Sequence, residues 1–389
     1  MRHLFTAGLA SIAFAMPFPT GAQDAPSAPG TVTVDANDFL QGYYDALRTQ
    51  VTLPVAPEAP ALADKTVLTR ITFGSCNHQS LEQHMWNRIA AADPQLFMMI
   101  GDNVYGDNLW EGDAGLTSLR EAYATFAERP EFIRFRSQVP MLTTWDDHDF
   151  GYNDGGDNFA FRGWAEAIYE NFWQSPENVR ERPGVYHSRI VGEDGRRVQI
   201  ILLDTRFFRS SLDRPPYSRE RPALGPYVPT QATDRTMLGE EQWEWLEEEL
   251  AKPADLRLVV SSIQVLTDAH RWESWALMPA ERAKLLDMVA GRNGGGVVLL
   301  SGDRHAGGIY QASHNGEEMW ELTSSSLNLP FTDTATNTAR EPDPLRVSDF
   351  ISEENFGLLE IDWPRQEIML SLRGAEGETR ASRTISFAP

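Results

Sequence analysis

The sequence predicts an α/β fold, because short apolar runs alternate along the chain with amphipathic helical patterns. The chain has 389 residues, of which 41% are hydrophobic and 10% aromatic, enough for a packed core and unlike a disordered chain. Six runs are too short for long helices and too continuously apolar for half-exposed strands, so they predict buried strands. These runs are 67–76, 96–102, 141–148, 198–204, 258–264 and 297–303.

The first 65 residues are predicted to precede this domain. Residues 1–22 have a basic start, a short apolar stretch and small residues at the end, a pattern typical of a secretory signal peptide. Residues 23–65 are rich in Pro and Ala and read as a tail and linker, with one helix near 38–49. We therefore expect a periplasmic or secreted protein whose domain spans 66–389 and which has no integral membrane span.

Helices and further strands follow from local patterns. Segment 238–252 places Trp243, Leu246 and Leu250 at helical spacing, and a second helix is predicted at 281–289, between a proline and a glycine. Three late runs predict an antiparallel edge or second sheet, at 357–363, 367–372 and 384–387. Ligand sites of α/β sheets lie at the carboxyl ends of strands, so the side chains that follow the six runs are expected in one crevice. They are Cys76, Asp102, Asp146, Asp147, His148, Asp204 and Asp303.

Charge and composition exclude several functions. With 34 Lys+Arg against 56 Asp+Glu, the net charge of −22 argues against a stable duplex nucleic-acid complex, although a local phosphate-ester site stays open. The one cysteine, Cys76, excludes an internal disulfide; both a small core residue and a thiolate metal ligand fit its position. The sequence also lacks the P-loop, H-E-x-x-H, G-x-S-x-G and S-x-x-K motifs, which removes support for ATPase, zincin and serine-hydrolase chemistry.

Two motifs after the second and third runs combine acids with other metal ligands. In GDNVY (101–105), Asp102 and Tyr105 offer a carboxylate and a phenol, a pair that suits a ferric-type centre, although Tyr105 also fits as a packing aromatic. In WDDHD (145–149), Asp147 and two further acids surround His148 and repel one another unless a cation neutralises them. A solvated acidic loop is the alternative for this second motif.

The last motif, SGDRH (301–305), places Asp303 and His305 on one face of an extended segment, where they could bind an ion. An arginine-rich segment interrupts the acidic chain. Its members are Arg206, Arg209, Arg214, Arg219 and Arg221. Guanidinium groups match phosphate oxygens in bidentate geometry, so Arg206 and Arg209 are candidates to hold an anionic substrate, whereas ion pairing explains the others at least as well.

Taken together, these motifs resemble the PhoD-like alkaline phosphatase and phosphodiesterase family, within the calcineurin-like metallophosphoesterases. The resemblance extends from about residue 68 to residue 330 and includes LDTR (203–206) and LGEEQWEWL (238–246). It implies a four-layer sandwich of two mixed β-sheets flanked by helices, a ferric ion and calcium as cofactors, and hydrolysis of phosphate esters.

The resemblance also implies site residues. Cys76, Asp102, Tyr105 and His305 would surround Fe3+, and Asp102 would bridge to Ca2+ held by Asp147 and Asp303. His148 would contact the phosphoryl group or the leaving oxygen. Gln264, Asn153 and Asn171 are weaker candidates as further ligands.

The function predicted from the sequence is therefore an exported phosphoesterase in which metal-activated hydroxide attacks phosphorus, with His148 and Arg206 as catalytic residues. Its substrate would be a small-molecule or polymeric phosphate mono- or diester. Two alternatives stay open: a phospholipid- or polymer-directed phosphodiesterase, and a calcium-binding exported protein without turnover.

Overall fold

A computed structural model describes residues 35–216 and 224–388, so the predicted signal peptide at 1–22 lies outside the described residues. The helices are α1 (Ala36–Arg48), α2 (Met85–Ala91), α3 (Thr117–Ala127), α4 (Pro130–Arg136), α5 (Asp147–Phe150), α6 (Arg162–Trp173), α7 (Glu177–Arg180), α8 (Gly239–Ala251), α9 (Pro279–Ala290) and α10 (Thr334–Arg340). The strands are β1 (Arg70–Gly74), β2 (Leu96–Ile100), β3 (Met141–Thr144), β4 (His187–Val191), β5 (Val198–Leu202), β6 (Leu256–Val260), β7 (Gly296–Ser301), β8 (Gly307–His314), β9 (Glu317–Ser324), β10 (Asn355–Asp362), β11 (Glu367–Gly374) and β12 (Thr379–Ser386).

The strands of the described residues form two mixed sheets. The first has the order β12-β11-β10-β1-β2-β3, in which β1, β2 and β3 are parallel and the last three strands of the chain form an antiparallel meander. The second has the order β4-β5-β6-β7-β9-β8, with β5, β6, β7 and β9 parallel and an antiparallel strand at each edge. Each sheet therefore has a parallel segment whose strands can deliver side chains to one edge.

The two sheets pack face to face, and helices cover their outer faces. The layer between them joins residues such as Ile71 and Met98 of the first sheet to Leu258 and Leu300 of the second. Helices α2, α3, α4 and α6 pack on the outer face of the first sheet, and α8 and α9 pack on that of the second. Because both faces of the central strands are covered, β2, β5 and β6 are buried along their whole length. This confirms the predicted four-layer α/β sandwich.

Local predictions were confirmed where the sequence signal was strong. All six apolar runs overlap strands, and the three late runs overlap β10, β11 and β12. Strands β4, β8 and β9 were missed, because their alternation of small, polar and apolar residues resembles surface loops. Helix α9 begins two residues earlier than predicted, at Pro279, since the fixed φ of proline suits the first helical position.

The described part of the predicted linker packs against the domain, in contrast to the expectation for residues 23–65. Tyr44 in α1 is only 2% exposed and stacks on Trp164 with ring centroids 5.2 Å apart. Further along, the Ala56 backbone N–H donates to the Phe172 carbonyl over 2.9 Å. Ala36–Pro389 accordingly forms one compact unit. No helix in the two described ranges has the length and apolar character required to span a bilayer.

Candidate metal centre

The predicted ligands converge because parallel strands of both sheets end at the same side of the sandwich. Cys76 follows β1, Asp102 follows β2, α5 begins at Asp147 directly after β3, and the loop after β7 carries Asp303. Four of the predicted ligands have left-handed backbone, which non-glycine residues rarely adopt. They are Cys76 (φ 57°), Asp102 (φ 48°), Asp303 (φ 68°) and His305 (φ 51°). Such residues cost roughly 1–3 kcal/mol each and cluster at functional sites.

One group of ligands combines sulfur, oxygen and nitrogen. The Cys76 thiol lies 3.2 Å from Asp102 Oδ2, and the Tyr105 hydroxyl lies 3.3 Å from the same oxygen. The Tyr105 hydroxyl is also 3.2 Å from His305 Nε2, whose ring is held by a 2.7 Å contact between Nδ1 and the Leu329 carbonyl. The donor atoms of Cys76, Asp102 and His305 all lie within 4.8 Å of one another.

A second group consists only of carboxylates and shares Asp102 with the first. Oxygens of Asp102, Asp146, Asp147 and Asp303 lie within 4.8 Å of one another. Asp146 Oδ2 is buried and has no hydrogen-bond partner among the described residues. Two adjoining ligand groups therefore meet at one carboxylate.

The electrostatics of both groups favour a cation. Burial, followed by repulsion from neighbouring acids, raises the pKa of Cys76, Tyr105 and Asp303 well above their usual ranges. Burial also raises the pKa of Asp102 well above its usual value. A positive ion would reverse these shifts by stabilising the charged forms of all four side chains.

The donor atoms fit metal ions of two kinds. Thiolate, phenolate, carboxylate and imidazole ligands suit a transition metal such as iron, whereas an all-carboxylate group suits a hard cation such as calcium. Arg206 pairs with one oxygen of Asp146, whereas the other oxygen is buried and without a partner among the described residues, so it is available to a cation. The residues present therefore fit the two kinds of ion that the family resemblance implies.

His148 lies at the rim of the first group. Its ring is tilted against that of Tyr105, with centroids 4.2 Å apart, and its Nδ1 lies 2.7 Å from Asp107 Oδ1. Burial by itself would lower the pKa of His148, but the nearby carboxylates of Asp147, Asp102 and Asp107 outweigh it and raise that pKa well above the usual value. Asp107 thus orients the imidazole, and the surrounding acids favour its protonated form.

Arg206 lies behind the carboxylates rather than on their open side. Its side chain is fully buried and forms ion pairs with Asp146 and with Glu273, the latter at 2.6 Å. Arg209 contacts the other oxygen of Glu273 at 2.8 Å. Both guanidinium groups thus pair with buried acids of the protein, whereas the role of Arg206 and Arg209 in holding substrate stays a prediction.

Other predicted residues lie outside the two groups. Asp204, expected in the crevice, is buried and accepts backbone N–H bonds from Val185, Arg206 and Phe207. Gln264 is bonded to Thr323 and His270, and Asn171 donates to the Pro54 carbonyl, so both have structural partners elsewhere. Asn153 is exposed. Arg214 contacts the hydroxyl of Tyr227, whereas Arg219 and Arg221 lie outside the described residues.

Sequence reasoning missed three acids beside these groups. Asp107 orients His148, and oxygens of Asp154 and Glu273 lie within 4.8 Å of Asp147. Asp107 and Asp154 each follow a metal-ligand motif within a few residues, which is a signal that could have identified them. Glu273 comes from a distant loop and carries no such signal.

Comparisons with known proteins identify the family and the fold. The sequence model of the PhoD-like phosphatase family matches residues 71–372. The chain is 23% identical over 370 residues to alkaline phosphatase D of Bacillus subtilis (strain 168), covering 85% of this chain and 62% of that relative's length. A solved structure of PhoD matches 87% of this chain and 74% of its own with a TM-score of 0.63 at 18% identity, which supports the common fold.

Proposed function

Because the chain belongs to the PhoD-like phosphatase family, we propose that it hydrolyses phosphate mono- or diesters at this cluster of side chains. The observation that carries the proposal is the convergence of Asp102, Asp147 and Asp303 from three strand ends in both sheets. Buried acids this close together are costly without a cation, and a phosphate ester needs positive charge to bind within a protein of net charge −22.

The proposed cofactors are Fe3+ and Ca2+. Cys76, Asp102, Tyr105 and His305 would hold the iron, and Asp102, Asp147 and Asp303 would hold calcium. When bound, such cations polarise phosphoryl oxygens and lower the pKa of bound water. The left-handed backbone at Cys76, Asp102 and Asp303 supports this assignment, because it indicates that the fold maintains these positions at an energetic cost.

Two residues of the chain would have further roles, one as a hydrogen-bond or proton donor and one as a positioning residue. His148, oriented through Nδ1 by Asp107, would give a hydrogen bond or a proton from Nε2 to the departing alcohol oxygen. Arg206 would hold Asp146 and Glu273 in place from behind, as a positioning residue. Its buried location supports that role over direct contact with substrate.

The substrate and the compartment are finer parts of the same proposal. Phosphate esters of small molecules are the first candidates, and a phospholipid or polymer directed phosphodiesterase is the alternative. Export to the periplasm or the medium is proposed from the pattern of residues 1–22. The absence of a stable duplex nucleic-acid complex remains a prediction from charge.

The test combines elemental analysis with turnover. Purified protein is analysed for iron and calcium and assayed with p-nitrophenyl phosphate and bis-p-nitrophenyl phosphate, before and after chelation. We expect bound metal, p-nitrophenol release that chelation removes, and a rate ratio that distinguishes monoesterase from diesterase activity. The variant Asp102→Asn should lose metal and activity together, because Asp102 belongs to both ligand groups.

Asp194→Asn is the matched control, since the Asp194 side chain is 92% exposed and far less constrained. It should keep the metal content and rate of the wild type. Metal-loaded protein that turns over neither ester would contradict the proposal and favour a calcium-binding protein without turnover. Full activity of the Asp102→Asn variant would show that Asp102 does not contribute to the active site.

A further inference from the structure

A cavity of about 240 Å³ adjoins the candidate metal centre and has no role in the chemistry proposed above. Its walls include Trp272, Phe331 and Phe350 together with Arg304 and Arg340. Pockets for complete drug-sized ligands usually measure roughly 300–1,000 Å³, so this cavity suits one part of a ligand, such as a single ring system.

The cavity shares a wall with the metal centre. The Phe331 ring stacks on the His305 ring with centroids 5.4 Å apart, and the Phe331 backbone N–H donates to the His305 carbonyl over 3.3 Å. Arg304 belongs to the same loop, between Asp303 and His305. A ligand that contacts Phe331 therefore lies next to His305, which is proposed above as a metal ligand.

The cavity presents unusual aromatic surface to solvent. Phe331 is 52% exposed and Trp272 is 44% exposed, although large aromatic side chains usually gain stability from burial. Single exposed apolar residues are common, but two that line one cavity beside a candidate active site indicate a binding surface. Phe350 forms a buried part of the wall, only 3% exposed.

The polar groups of the cavity are arranged around these rings. Arg304 is nearly buried and forms a 2.7 Å ion pair with Glu341, and its guanidinium lies 6.0 Å from the centre of the Phe350 ring, which fixes one side of the wall. Arg340 is exposed and forms no ion pair with any residue in the described ranges. Aromatic rings and planar guanidinium groups are the side chains on which nucleic-acid bases stack.

We infer that this cavity is the leaving-group subsite, and that it selects phosphate esters whose alcohol carries a planar aromatic ring system, with nucleoside monophosphates as the matching class. The inference rests on the proposed phosphoesterase function. The phosphoryl group would be bound by the cations proposed for the carboxylate cluster while the base stacks on Phe331 and Trp272.

Two esters with the same leaving oxygen isolate the contribution of the base. Adenosine 5′-monophosphate and methyl riboside 5-phosphate both release a primary ribose alcohol, so differences in kcat/KM report contacts with the base. We expect metal-loaded wild-type protein to prefer the adenosine ester by about tenfold, mainly through KM, which is the size typical of one base stacked on an aromatic side chain. Phe331→Ala and Trp272→Ala should each reduce that ratio.

Phe39→Ala is the control, because Phe39 is 78% exposed on α1 and does not line the cavity; it should leave the ratio unchanged. Phe331 also stacks on His305, so the result for Phe331→Ala combines two effects. Trp272→Ala is therefore included as the second cavity variant. A wild-type ratio near one, or a ratio that neither cavity variant changes, would overturn the inference.

A binding measurement separates this inference from the proposed function. In saturation-transfer NMR with adenosine 5′-monophosphate, the base protons should receive magnetisation from the wild-type protein and lose it in Phe331→Ala and Trp272→Ala. If the protein hydrolyses neither ester but shows this pattern, the hydrolase proposal fails and with it the leaving-group role, whereas binding of the base at the cavity stands. If the base protons receive no magnetisation from the wild type, the subsite inference fails whatever the rates.

Discussion

Two sets of buried acids in this protein have opposite surroundings. Glu321 in β9 accepts backbone N–H bonds from Val265 and Leu266 and a hydroxyl bond of 2.6 Å from Ser301. Asp303, in the loop after the neighbouring strand β7, is surrounded by other carboxylates and accepts no hydrogen bond from any described residue. Burial alone therefore does not identify a candidate metal centre; the crowding of several carboxylates around one another distinguishes the cluster of Asp303 from the surroundings of Glu321.

Arg206 is a buried cation that pairs with buried acids, and its substitution should cause the largest loss of stability among the predicted effects. It supplies the positive charge between Asp146 and Glu273, and breaking a buried ion pair from one side typically costs about 3–5 kcal/mol. Arg206→Met should lower the free energy of unfolding of metal-free protein in urea by about that amount. Arg196→Met, at a half-exposed ion pair with Glu193, should change it by less than about 1 kcal/mol. Equal effects for the two variants would contradict the described role of Arg206.

Asp204→Ala tests the acids that have neutral donors. The substitution would leave three backbone N–H groups without their acceptor, each costing about 1 kcal/mol or more, so the free energy of unfolding should fall by roughly 3 kcal/mol. The folded variant should keep its metal content, measured by elemental analysis, because Asp204 lies outside both ligand groups. Loss of metal from a variant whose circular dichroism spectrum is native would show that Asp204 contributes to metal binding.

Asp303→Asn tests the buried acid that accepts no hydrogen bond within the described part of the chain. The substitution should lower activity but raise the stability of the metal-free protein. Activity on p-nitrophenyl phosphate should fall at least about a hundredfold, since even partners of metal ligands typically contribute 10- to 100-fold. At pH 8, however, the metal-free variant should be more stable in urea than metal-free wild type, because the change removes a buried acid surrounded by other acids. A loss of stability in the metal-free state would contradict this account of the site.

The smallest expected effect is that of replacing Glu170, a half-buried acid on α6 outside the two ligand groups. Burial raises its pKa to about 7, against the opposing influence of Arg180 and Arg48. Because the folded pKa is higher than the unfolded one, the associated stability is present at low pH and is lost as the pH rises through about 7. Glu170→Gln should therefore stabilise the protein at pH 8 by on the order of 1 kcal/mol, with little effect at pH 4.

Urea unfolding at both pH values measures this difference, with Glu177→Gln, at an exposed position on α7, as the control. A stabilisation of equal size at both pH values would show that it does not come from the charge of Glu170.

The sequence by itself predicted nine of the twelve strands in the described residues, the α/β class and most residues of the candidate site. Buried strands need continuous apolar runs, and the chemistry of a metal site needs Asp, Tyr, Cys and His directly after them, so both are visible locally. The family resemblance added the arrangement into two sheets. Edge strands such as β8 were not visible, because their short and mixed pattern resembles a loop.

Only the tertiary structure decided which acids lie among other carboxylates and which are satisfied by the backbone. Asp204 and Asp303 both follow apolar strands and look alike in the sequence, yet backbone N–H groups surround one and carboxylates the other. It also decided that Arg206 is enclosed by Asp146 and Glu273, and that Trp272 and Phe331 line one cavity. The physical reason is that charge interactions and packing depend on distances between residues far apart in the chain, and the folded backbone alone sets those distances.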